Sequence, residues 1–165
     1  MKTCGGMQPY LFPYLGYFQL INAVDIFVIS DDVQYIKQGW INRNYIQSNR
    51  KPLLFTFGVK KDTMTKNINQ RSYSEDTYNS TRAKFLRMLF YSYRKAPYFK
   101  EVNELITEIL SYEDLNVSEF NTNSLKKLCN YMNINTQFVL SSSLEKEKGP
   151  RGQEAVIAIN KVLGV

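Results

Sequence analysis

The run Met7-Gln8-Pro9-Tyr10-Leu11-Phe12-Pro13-Tyr14-Leu15-Gly16-Tyr17-Phe18-Gln19-Leu20-Ile21 is followed closely by Asp25-Ile26-Phe27-Val28-Ile29-Ser30-Asp31-Asp32. Together they decide the fold. Two prolines restrict the loop, Gly16 permits close backbone approach, and the pattern predicts a helix continuing to about Ala23. Residues 25–30 are a near-continuous apolar run, as expected of a buried strand in a parallel sheet. A tight loop leading into a helix and then a strand can aim backbone N–H groups at a phosphate. The same residues also read as a proline-stiffened turn with its aromatics packed in a core.

Outward from this stretch, Leu53-Leu54-Phe55-Thr56-Phe57-Gly58-Val59 and Thr136-Gln137-Phe138-Val139-Leu140 read as further strands. The latter runs into Ser141-Ser142-Ser143. A helix capped by Ser74, with Glu75 and Asp76 in its first turn, is expected to stop near Ala96, before Pro97. Val102, Leu105, Ile106, Ile109 and Leu110 mark a second helix, and Val117, Phe120, Leu125, Leu128 and Met132 a third. Ala155, Val156, Ile159, Val162 and Leu163 mark a last one, ending at Gly164. Strands alternating with helices predict one three-layer, Rossmann-like α/β domain over residues 1–165, its sheet mainly parallel, with a helical insertion at 74–133. The closing helix has no strand after it, so the domain is expected to be incomplete at its C-terminus. Thr3-Cys4-Gly5-Gly6, where a first strand belongs, is poor strand material.

Composition narrows the chemistry. The chain has 165 residues, 21 Lys+Arg against 15 Asp+Glu, and a net charge of +6. It contains no histidine, which excludes Ser-His-Asp and Cys-His catalysis and imidazole zinc sites. Two cysteines are too few for a disulfide scaffold, and a reducing cytoplasm is the expected setting. Cys129 falls on the apolar side of its helix and reads as a structural thiol. No run approaches the length of a membrane span. Twelve tyrosines, ten phenylalanines and one tryptophan fit a nucleotide or sugar pocket, a nucleic-acid surface, or an aromatic core.

Residues 7–21, Asp31-Asp32-Val33-Gln34-Tyr35-Ile36-Lys37 and Gly39-Trp40-Ile41-Asn42-Arg43-Asn44 closely resemble the WbqC-like family. Lys95-Ala96-Pro97-Tyr98-Phe99, and Ser141-Ser142-Ser143-Leu144 with Gly152-Gln153, resemble it too. That resemblance implies bacterial O-antigen and other surface-polysaccharide assembly. The implied reaction is transfer of a glycyl or other acyl group to a nucleotide-linked amino sugar. A second resemblance joins residues 13–21 to the HxGH segment of the nucleotidyltransferase superfamily, with Tyr14 and Tyr17 in place of the histidines. It implies a related fold, phosphate contacts from Tyr14, Gly16, Tyr17 and the Ser141, Ser142, Ser143 loop, and ATP with Mg²⁺ as cofactors. Tyrosine donates hydrogen bonds but carries no positive charge at neutral pH, so adenylyl chemistry is weakened.

Asp31 and Asp32 stand at a strand end, where open α/β sheets place ligand groups. They are candidates to hold a metal or accept an amine proton, against the alternative of a solvated turn. Lys37 and Arg43 are candidates to neutralise developing charge. They belong to an acid-free stretch with Arg50, Lys51, Lys60 and Lys61. Trp40 offers a flat face for stacking, and Asn42 and Asn44 offer amides for hydroxyls. Gln8, Pro9 and Gln34 join the substrate-binding set through the family blocks. A second acid-free stretch holds Arg82, Lys84, Arg87, Arg94, Lys95 and Lys100, and reads as a solvated helix face, a nucleic-acid contact or an anionic membrane contact. Two alternatives to the transferase remain: a non-catalytic nucleotide- or nucleotide-sugar-binding module, and a nucleic-acid-binding protein.

Overall fold

β2 (Ile26–Ile29) is the centre of the fold, and all four of its side chains are buried. It lies between β1 (Cys4–Met7) and β5 (Gln137–Leu140), parallel to both, with Gly6 opposite Val28 and Phe27 opposite Phe138. The computed structural model describes residues 2–146, 149 and 152–165. α1 (Leu15–Asn22) makes the crossover from β1 to β2 and buries Tyr17, Phe18 and Ile21.

The first strand overturns the expectation drawn from Thr3-Cys4-Gly5-Gly6. A Cβ on Gly5 would stand 3.3 Å from both Leu20 Cδ1 and Val24 Cγ1, and one on Gly6 would stand 3.1 Å from the Val28 carbonyl oxygen. The glycines are what the packing requires here, because α1 and its following turn settle directly against β1. Weak strand propensity is outweighed by pairing with β2 and by this close approach.

A second correction concerns residues 53–59. They do not join the parallel sheet. β4 (Lys51–Thr56) pairs antiparallel with β3 (Arg43–Ser48), a strand whose mixed polarity hid it in the sequence. Asn49 and Arg50 link the two strands, both with positive φ (49° and 61°), as a type I′ hairpin turn demands. Arginine in place of the usual glycine is why the turn was illegible.

The excursion from β2 to β5 also holds α2 (Glu75–Tyr93), α3 (Phe99–Ile109) and α4 (Val117–Tyr131). Ser74 occupies the cap position of α2 without a side-chain cap bond, whereas Asn116 caps α4 by accepting from Ser118 N (2.9 Å) and Glu119 N (3.3 Å). α5 (Gln153–Leu163) closes on Gly164 in the left-handed region, φ 67°.

Two hydrophobic cores result. Tyr17, Phe18, Ile21, Phe27, Ile29, Leu125 and Cys129 form the sheet core. Burial pushes the Cys129 thiol up to about 11, so it is a packing group. The larger core joins the hairpin to α2 and α4 through Phe55, Phe57, Tyr73, Tyr78, Phe85 and Phe120. Its rings meet edge-on or tilted, as with Phe55–Phe85 at 4.5 Å and Tyr73–Phe120 at 5.3 Å. Much of the aromatic excess is therefore core. Asn121 ties the two cores together: its Nδ2 donates to the Pro9 carbonyl (2.8 Å) and the Ile41 carbonyl (2.9 Å), and its Oδ1 accepts from the Tyr73 hydroxyl (2.7 Å). Among the described residues no helix is long and apolar enough to cross a membrane.

Candidate functional site

Parallel pairing brings the C-terminal ends of β1, β2 and β5 to one edge, and with them Gln8, Asp31, Asp32, Ser141, Ser142 and Ser143. Asp31 is 1% exposed. Its carboxylate accepts from Ser142 N (2.9 Å), Ser142 Oγ (2.5 Å) and Asn69 Nδ2 (3.3 Å). Asp32 pairs with Lys146 Nζ at 2.7 Å, and that ammonium also donates to the Ser141 carbonyl (2.6 Å) and to Ser141 Oγ. Ser143 Oγ donates to the Leu140 carbonyl at 2.8 Å. A carboxylate is buried at low cost only when donors surround it, and this cluster supplies them internally.

The cluster does not suit a magnesium nucleotide. Asp31 already takes three donors, Asp32 holds an ammonium, and the serine hydroxyls are engaged. Among the described residues no group of three or more Cys, Asp or Glu side chains gathers to hold an ion. No step is therefore derived through a metal or ATP.

Tyr17 is a correction as well. It is fully buried in the sheet core, and its hydroxyl donates to the Gln8 carbonyl at 2.8 Å. Burial raises its phenol far above the usual range, and its hydroxyl is spent inside the core on that carbonyl. Tyr14 is 60% exposed at the start of α1, its ring against Gly16, where an added Cβ would lie 2.7 Å from Tyr14 Cε2. Pro9 is buried and held through its carbonyl by Asn121. Gln34 Nε2 donates to the Met64 carbonyl (2.9 Å) and Asn44 Nδ2 to the Phe12 carbonyl (3.0 Å), so both pin loops.

The other predicted residues collect elsewhere. A cavity of about 470 Å³ opens between the loop after β2, the start of β3 and the segment after β4. Lys37, Asn42 and Arg43 line it, together with Tyr35, Lys61, Asp62 and Arg71. Its lining includes neither Asp31, Asp32 nor the serine loop.

A relay builds one wall. The Asn42 amide donates to the Phe57 carbonyl (2.6 Å), and its oxygen accepts from the Tyr35 hydroxyl (2.9 Å). The Tyr35 ring carries the Arg71 guanidinium, 5.0 Å from its centroid. Arg71 in turn donates to the carbonyls of Lys60 (2.9 Å) and Thr63 (3.0 Å), which holds Lys61 and Asp62 on the rim. Arg71 is 8% exposed, and its buried Nε finds no hydrogen-bond partner among the described residues.

Arg43 donates Nε to the Gly39 carbonyl (3.0 Å) and Nη2 to the Gln38 carbonyl, and lies over the exposed Trp40 ring at 5.4 Å. Two of its five donors are thus used on backbone. Asp62, the one acid of the lining, is held below the usual carboxylate range chiefly by a hydrogen bond from Lys66 Nζ at 2.6 Å. Lys37, Arg43, Lys61 and Arg71 make no ion pair among the described residues. The cavity lining therefore carries more positive than negative charge.

Sequence reasoning found Lys37, Asn42 and Arg43 and placed Lys61 in a basic stretch. It missed Arg71 and the part played by Tyr35. Tyr35 lay inside the resembling block, but Arg71 has no local signal because its partners are set by the fold.

No solved structure gives a significant match to the chain. The uncharacterized protein Rv1507c of Mycobacterium tuberculosis is 32% identical over 151 residues, 90% of this chain. The chain spans 64% of that relative's length. Residues 8–165, which hold the strand-end cluster and the basic cavity, match the WbqC-like protein family, and the chain belongs to that family.

Proposed function

We propose that the chain binds a nucleotide-linked amino sugar in the basic cavity and serves transfer of a glycyl or other acyl group to it, in bacterial surface-polysaccharide assembly in the cytoplasm. One observation carries this: Lys37, Arg43, Lys61 and Arg71 converge on one cavity of about 470 Å³ whose only acid is already paired. A diphosphate matches that charge, arginine adds directional donors, and Trp40 beside Arg43 gives a flat face for a base or sugar ring. In transfer, the sugar amine forms a C–N bond to the carbonyl carbon of an activated acyl donor, the donor's leaving group departs with the electron pair of the broken bond, and solvent takes the amine proton. Unpaired cations beside the phosphates hold charge in place during that step. The reading takes the parallel sheet with α1 and α4 as the centre of a three-layer Rossmann-like domain of nucleotidyltransferase type.

The buried Tyr17 favours a second reading, a nucleotide-sugar-binding module without chemistry, since nothing at that position can act on a phosphate. Thermal unfolding with UDP- and dTDP-linked amino sugars, with ATP–Mg²⁺ alongside, tests the binding. A ligand at about 100 times its dissociation constant adds about 2.7 kcal/mol, and Arg43→Ala and Lys61→Ala each weaken binding about ten-fold. Equal binding by both variants sinks the assignment. Turnover by a full-length homologue decides between transferase and binding module. Oligonucleotide binding with a steep salt slope, in place of a sugar-nucleotide shift, makes it a nucleic-acid protein.

A further inference from the structure

The second basic stretch, far along the chain from the cavity lining, lies on α2 and the turn into α3. Residues 77–100 contain Arg82, Lys84, Arg87, Arg94, Lys95 and Lys100 and no acid. Large aromatic rings stand exposed among these cations: Phe90 at 45%, Tyr91 at 74% and Tyr98 at 70%. Phe90, Tyr91, Phe99 and Arg94 form a connected patch. Phe90 meets Tyr91 at 5.6 Å and Phe99 at 6.0 Å, and Arg94 lies 5.6 Å over the Phe90 ring. Beside it opens a groove of about 280 Å³ between α2 and α3, lined by Leu89, Tyr93, Pro97, Phe99, Val102 and Ile106, among others. Asn103 supplies the one amide of the lining. The nearest acid in sequence, Glu101, lies beside Tyr131 of α4, on the Tyr98 side of the corner and apart from Phe90 and Arg94 along the chain.

We infer that the α2–α3 corner docks on an anionic lipid bilayer. Cations alongside exposed aromatics are the make-up of an interfacial surface: the charges meet anionic headgroups while the rings enter the headgroup boundary. The groove points the same way, because its hydrocarbon walls accept an acyl chain and offer almost nothing to a base edge. Charge complementarity selects an anionic surface over a neutral one. The chain needs no spanning helix for this, and the groove and the basic cavity share no lining residue.

Co-sedimentation with phosphatidylglycerol-rich vesicles, against pure phosphatidylcholine vesicles, reads the docking directly. Binding is expected to the anionic vesicles alone and to weaken as salt rises. Arg94→Gln with Lys95→Gln, both exposed, should lower the affinity about five-fold per charge, or about 25-fold for the pair, with an unchanged unfolding transition. A Tyr91→Trp variant in a Trp40→Phe background should show a blue-shifted emission on anionic vesicles. Failure to bind anionic vesicles overturns the inference, as does equal binding by the glutamine pair. Capture of a single-stranded oligonucleotide by the same residues, with no blue shift on vesicles, assigns the face to nucleic acid and overturns it too.

Discussion

The strand-end cluster and the basic cavity draw on similar residue types, yet they differ in what satisfies their charges. At the strand ends every charge is answered from within: Asp31 by Ser142 and Asn69, Asp32 by Lys146. Around the cavity only Asp62 has its counter-ion, while Lys37, Arg43, Lys61 and Arg71 are left without one among the described residues. The first arrangement ties the end of β2 to the end of β5 and to Asn69, and spends its polar groups on one another. The second leaves an excess of positive charge facing one cavity, which under the proposed function the anionic ligand answers. A place prescribed by topology for ligands can thus be used by the protein for its own cohesion.

The sharpest way to break this comparison is Asp31→Ala. It strips the Ser142 backbone N–H and hydroxyl and the Asn69 amide of their charged, buried acceptor and should cost about 2–3 kcal/mol in urea unfolding. Ligand affinity of the fraction that remains folded should not move. A change in affinity without loss of stability would return Asp31 to the functional site. Next in size is Gly6→Ala, which tests whether the glycine strand is shaped by contact. With its Cβ 3.1 Å from a backbone oxygen, it should destabilise by about 1–2 kcal/mol, and a neutral result would mean that β1 has room to shift.

The smallest effect is expected from Lys66→Ala. The exposed pair it breaks should leave stability unchanged, while the Asp62 carboxyl returns upward toward its ordinary range. Asp62 remains ionised at neutral pH and, no longer neutralised, faces the cavity cations. Anion affinity measured by titration calorimetry should then fall about two-fold. Unchanged or tighter binding would show that the anion sits away from Asp62 and the cavity.

Much of the frame was legible. The four-residue apolar run of β2, the periodic faces of α3 and α4, and the proline after α2 are local signals, and local signals survive into the structure. Thr3-Cys4-Gly5-Gly6 failed as a strand on propensity because its glycines answer to Leu20 and Val24, which a local reading cannot see. β3 failed for a related reason: its mixed polarity follows a hairpin that is covered by α2 on one side only in part, with Ile46 half-buried and Tyr45 exposed. Of the candidate residues in the family blocks, the structure brings Lys37, Asn42 and Arg43 together in one lining and disperses the others. Asn42 and Asn44 have amides suited to a sugar and use them on backbone carbonyls instead.

By itself the sequence determined the absence of histidine chemistry, the excess of positive charge, the central strand and the family blocks. These depend on composition and on contacts within a few residues along the chain. Only the tertiary structure decided which polar groups are still available. Ser142 reaches Asp31 across 111 residues and Asn121 reaches Pro9 across 112, and each such bond removes a group from ligand binding. Arg71 became the floor of a cavity because Tyr35 and the carbonyls of Lys60 and Thr63 are brought around it by folding. A side chain's chemistry is fixed by its type, but whether that chemistry remains free depends on partners that only the fold assembles.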